Sequence, residues 1–136
     1  MYRFFPVLAS ASLALTLAAA CGCSEPGPPR YRISGTVTYQ GKPVPIGSVL
    51  FQPDPAQNNS GPVGSATIRD GVYDTQREGQ GFSGGPQIVI VEAFDGQNID
   101  PDYNPYGRSL TYGYMEPHQL PEAETTLEIE LSERTR

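Results

Sequence analysis

From residue 31 onward this chain holds short stretches in which apolar and polar residues alternate one by one, separated by runs of turn formers. In Ile33-Ser34-Gly35-Thr36-Val37-Thr38-Tyr39, the positions Ile33, Val37 and Tyr39 share one parity, and Ser34, Thr36 and Thr38 the other. Side chains of a strand point alternately to its two faces, so this pattern predicts a strand with one apolar face. Gly35 falls on the apolar parity, where a missing side chain leaves room for a neighbouring element or a bulge. Gln40-Gly41-Lys42-Pro43 carries turn residues, and Val49-Leu50-Phe51 resumes the extended run until Pro53. Residues 31–53 therefore read as a hairpin, the unit around which the rest is laid.

The same reading continues downstream. Residues 54–62, DPAQNNSGP, are turn formers, and Val63 to Arg69 form a third strand. Asp70-Gly71 is the strongest hairpin signal of the chain and leads into Val72-Tyr73-Asp74-Thr75. After the Gly-rich loop 76–86, the run QIVIVEAFD (87–95) is apolar at both parities, which predicts a central strand buried on both faces. Ser109 to Tyr114 reads as a short edge strand. Thr125 to Ser132 alternates strictly, with Leu127, Ile129 and Leu131 on one side and Glu128 and Glu130 on the other. Repeated Pro and Gly among β-branched residues argue against helix. The expected fold is all-β: an antiparallel Greek-key β-sandwich of about seven strands, over residues 31–132.

The N-terminus has a different pattern. Residues 1–20 hold one base, Arg3, no acid, and an apolar body ending in Ala18-Ala19-Ala20, which predicts an export signal. Ala18-Ala19-Ala20-Cys21 resembles the box that ends bacterial lipoprotein signals, with Cys21 as the lipidated residue and Cys23 as the alternative. Acyl chains bind a bilayer at about 0.8 kcal/mol per buried methylene, so two or three of them hold a protein there. Residues 21–30 then read as a Pro-rich tether and 133–136 as a tail. A Cys21–Cys23 disulfide would close a very small ring, and the chain has no other cysteine, so the fold rests on its core. The expected location is the outer face of a bacterial membrane, towards the periplasm or the cell surface.

In GTVTYQGKPVPIGSVLFQP (35–53) the chain resembles transthyretin-like, or carboxypeptidase-regulatory-like, β-sandwich domains of exported bacterial lipoproteins. The resemblance continues in Ala66-Thr67-Ile68-Arg69-Asp70-Gly71-Val72-Tyr73 and in Gly84-Gly85-Pro86 before Ile88-Val89-Ile90-Val91. It implies a non-catalytic domain with a structural, adhesive or protein-interaction role. The hydroxyisourate hydrolases of that family use several histidines and a C-terminal Tyr-Arg-Gly-Ser. Here there is one histidine, His118, and Tyr106-Gly107-Arg108-Ser109 has those residues in another order and place. That activity and zinc carboxypeptidase chemistry are not expected, and no cofactor is.

Charge narrows the partners. The chain has a formal net charge of −6. Loss of residues 1–20 would remove Arg3 and leave eight bases against fifteen acids. Such a surface excludes nucleic acid as the expected partner. A membrane contacted through the N-terminal lipid, and an envelope protein or glycan, remain. The candidate surface is the irregular segment 96–124. It holds Tyr103, Tyr106, Tyr112 and Tyr114, whose rings offer apolar area with a polar tip. Asp95, Asn98, Asp100, Asp102 and Asn104 supply the hard oxygen donors that Ca²⁺ takes, without the EF-hand order, and also read as turn initiators. A carbohydrate- or Ca²⁺-binding module using the Asp/Tyr loop 95–118 is the alternative reading, with a hydrolase a distant third. The sequon Asn58-Asn59-Ser60 carries little weight beside a bacterial anchor.

Overall fold

The computed structural model describes residue 22, residues 25–111 and residues 113–133. The expected signal segment, Cys21 and Cys23 lie outside the described residues. Within them the chain is all-β. Ten strands form a single curled sheet: β1 (Ile33–Tyr39), β2 (Lys42–Pro43), β3 (Ile46–Pro53), β4 (Gly64–Arg69), β5 (Val72–Asp74), β6 (Gly79–Gln80), β7 (Gly85–Phe94), β8 (Tyr114–Leu120), β9 (Thr125–Thr126) and β10 (Ile129–Leu131). Seven of them lie in the order β10-β1-β5-β4-β3-β7-β8, with β2 and β9 added to β1 and β6 to β4.

The two tight turns follow from their residues. Gln40 and Gly41 have φ of 51° and 76°, and Asp70 and Gly71 have 50° and 77°. Two successive positive φ values are the signature of a type I′ turn, whose twist matches that of the strands it joins. Between β3 and β4, Asp54 caps a short 3-10 turn (Pro55–Gln57) by accepting the Ala56 N–H at 3.0 Å.

Alternation places one residue in two on the inner face of the curled sheet. Ile33 and Val37 of β1, Val49 and Phe51 of β3, Ile68 of β4 and Val89 and Val91 of β7 are fully buried there. Phe51 sits at the centre, with its ring centroid 6.0 Å from both Tyr73 and Phe82. Each such side chain contributes about 1.5–3 kcal/mol by leaving water.

Three expectations need correction. The edge strand is not Ser109 to Tyr114 but β8, which pairs with β7 from Val91↔Tyr114 to Gly85↔Leu120 and runs through Pro117. A proline ends a central strand but is tolerated at an edge, where a missing N–H costs no ladder bond. The run 87–95 is not buried on both faces: Gln87, Val89, Val91 and Ala93 are buried, whereas Ile88, Ile90 and Phe94 are half-buried and Glu92 is exposed. Finally, the sheet is antiparallel except at its C-terminal strands. Both β9 and β10 run parallel to β1, at Ile33↔Thr125 and Val37↔Ile129.

Candidate functional site

The segment between β7 and β8 is the longest connection, and one carboxylate organises its base. Asp95 Oδ1 accepts the backbone N–H of Gln97 at 3.0 Å and of Arg108 at 2.8 Å. Backbone bonds from Asp95 N to Arg108 O and from Gly96 N to Tyr106 O, each 3.0 Å, close the neck. The Gln97 amide, then that of Arg108 and its guanidinium charge, hold the Asp95 carboxyl below the usual carboxylate range. Gly107 (φ +87°) passes so close to Asp95 Oδ1 that a β-carbon there would overlap it. Further out, Asp100 and Asn104 exchange backbone bonds of 3.0 and 2.7 Å, and Asp102 N–H donates to Asp100 Oδ1 at 3.0 Å. The loop is thus a small pinned hairpin.

Its apolar side chains point out. Tyr103 is 89% exposed, Ile99 58% and Tyr106 50%. Tyr106 leans on Phe94 with a centroid distance of 5.5 Å. The four tyrosines do not make one platform. Tyr114 pairs with Val91 and packs against the core from the inner face, whereas Tyr106 leans on Phe94, which has the opposite parity in β7. Its hydroxyl donates to Glu116 Oε2 at 3.0 Å, and burial, helped by that carboxylate, pushes its ionisation up to about 12. Tyr112 lies outside the described residues.

Two of the five candidate oxygen ligands, Asp95 and Asp100, accept hydrogen bonds from backbone amides. No group of three or more His, Cys, Asp or Glu placed to hold a metal ion occurs among the described residues. These bonds to loop amides are the work of turn initiators.

His118 stands opposite Gln87 across the β7–β8 pair, on the inner face. Its Nε2 is buried without a hydrogen-bond partner, as is Oε1 of the fully buried Gln87.

Two polar features had no signal in the sequence. Arg32 grips Asp74 with two bonds, Nε to Oδ1 at 3.0 Å and Nη2 to Oδ2 at 2.6 Å, and reaches Glu124 at 3.2 Å. This pairing, against the opposing effect of burial, lowers the Asp74 carboxyl to about 2 and raises Arg32 further. The triad ties the starts of β1 and β9 to the end of β5. Beside it, a shallow cleft of about 300 Å³ is lined by Thr67, Arg69, Val72, Asp74, Arg77 and Glu78. Arg69 Nε is held by both Glu78 oxygens at 2.9 and 3.0 Å, so much of its charge is already paired.

Among the described residues no helix is long and apolar enough to cross a membrane. No family model, no curated protein and no solved structure matches the chain.

Proposed function

We propose that this is a non-catalytic lipoprotein, anchored through lipid on Cys21, whose β domain serves as an interaction module at a membrane surface. In finer terms, the curled sheet is a transthyretin-like Greek-key sandwich carried on a Pro-rich tether. Support for the anchor comes from Ala18-Ala19-Ala20-Cys21, an export-signal pattern that ends on the one residue type able to accept a thioether-linked diacylglycerol.

The observation that carries the interaction reading is the rigid display of Tyr103. A ring 89% exposed contributes nothing to the core, and the hairpin that carries it, its neck closed by Asp95, leaves little backbone to order on binding. The preferred partner is an envelope protein, with a glycan as the competing ligand for the same rings.

Cell fractionation tests the reading. The wild-type chain is expected in the membrane fraction and Cys21→Ser in the soluble exported fraction. Equal distribution of the two would overturn it.

A further inference from the structure

The sequence of β7 is apolar on two faces, and the fold buries one of them fully and the other only in part. Register shows what the other face holds. Leu50, Ile90 and Met115 stand in one row across β3, β7 and β8; Gln52, Ile88 and Pro117 stand in the next, and Ile46 faces Phe94 beyond. Among the described residues, the half-buried apolar side chains that pack on the core are others: Tyr31, Tyr39, Leu110, Tyr114, Leu120 and Leu127. Leu50, Ile88 and Ile90 are half-buried and Met115 is 54% exposed, on the side of the sheet away from that core. Tyr106, leaning on Phe94, extends this surface towards the loop. Contiguous apolar area of this kind marks an interaction site in a soluble domain.

Two observations choose the occupant. The first is charge. Glu92 sits on this face beside Ser48, exposed, between the rows of Ile90 and Phe94. No cation pairs with it among the described residues, and β3, β7 and β8 contain no Lys or Arg. Arg69 of the adjacent β4, in register with Ile46, is already held by Glu78, so a second copy laid face to face would bury two such carboxylates without a free counter-charge, which is unfavourable. The second is size. Three strands about 4.8 Å apart and seven residues of about 3.3 Å give a footprint of about 300 Å². A standard interface takes about 800 Å² from each partner, so this face fits a single segment better than a globular surface.

We propose that the outer face of β3, β7 and β8 docks a segment of another protein, one that presents apolar side chains around a lysine or arginine directed at Glu92. This rests on the interaction-module reading and gives it a partner chemistry and a second surface besides the loop.

The test places a photo-crosslinking amino acid in the full chain, in the producing cells, at Met115, at Tyr103 and, as background, at Val72. The expected result is a Met115 adduct whose mass spectrum identifies a peptide of another protein rich in apolar residues and containing Lys or Arg. A synthetic peptide of that sequence is expected to bind Glu92→Gln at least about 30-fold more weakly than wild type, the loss that follows from leaving its cation unpaired. The melting temperature of Glu92→Gln, an exposed and near-isosteric change, should be unaltered. An adduct to a second copy or to lipid, no adduct at Met115 above the Val72 background, or binding indifferent to Glu92→Gln would each overturn the proposal. An adduct from Tyr103 alone would overturn it while leaving the interaction-module reading in place. No adduct above background at either site would sink both.

Discussion

Replacing Gly35 by alanine tests the account of how the two ends of the chain are joined. Gly35 lies on the inner parity of β1, between Tyr73 of β5 and the gap between β9 and β10. There the Leu127 carbonyl turns out of the ladder and accepts the Tyr73 hydroxyl at 2.7 Å. A β-carbon on Gly35 would meet Leu127 O well inside contact distance, Leu127 C at 2.8 Å and Tyr73 Oη at 3.1 Å. The colliding atoms are backbone, so β1 and the last strands must separate. That motion strains the Tyr73–Leu127 bond and the Leu127 N–H to Ser34 O bond of 3.0 Å. Overpacking costs about 1–3 kcal/mol, and two weakened hydrogen bonds cost about 1 kcal/mol each. The sum of about 3–5 kcal/mol lowers the melting temperature of a domain of this size by about 12–20 °C. Gly41→Ala separates this effect from backbone strain. Gly41 has φ +76° with nothing within 4 Å, so only the left-handed conformation is penalised, at about 1–2 kcal/mol. Thermal and urea unfolding of both variants provides the assay. A Gly35→Ala loss no larger than that of Gly41→Ala would refute the steric account of the β1–β5–C-terminal junction.

Three further outcomes follow from the polar contacts. Asp74 has its folded pKa lowered to about 2 by Arg32, below the value of about 3.9 expected in the unfolded chain. Its contribution is therefore present above about pH 4 and lost as pH falls towards 2; acid titration of unfolding should show this slope, and Asp74→Asn should flatten it. Asn59 Nδ2 donates to Gly84 O at 3.0 Å and Pro86 O at 2.6 Å, so Asn59→Ala should cost about 1–3 kcal/mol in urea unfolding. Asp95→Ala should leave global unfolding nearly unchanged but speed hydrogen exchange at the Gln97 and Arg108 amides, which it holds.

Local signals carried the legible part of this fold. Asp70-Gly71 forms the hairpin its residues specify, β1 has Ile33 and Val37 buried on one parity, and Ile129 and Leu131 are buried while Glu128 and Glu130 are exposed. What could not be read is long-range. The parallel pairing of β9 and β10 with β1 joins positions 92 residues apart, such as Ile33 and Thr125, and alternation carries no partner or direction. Pro117 hid the edge strand, because the same residue that ends a central strand protects an edge. Tyr112 and Tyr114 looked equivalent to Tyr103 and Tyr106 until the register of β8 put Tyr114 on the inner face. The apolar parity of Ile88 and Ile90 is legible, but its exposure is not: apolar residues at both parities mark two apolar faces without saying how far the fold covers each.

The central claim is that this chain is held at a membrane by lipid on Cys21 and works there through a β interaction domain. Intact mass of the membrane-extracted protein tests it most directly, comparing wild type with Cys21→Ser and Cys23→Ser. The account predicts a diacyl- or triacylglyceryl-sized mass increment on a chain beginning at Cys21, lost in Cys21→Ser and kept in Cys23→Ser. An unmodified chain recovered from the soluble exported fraction would contradict it.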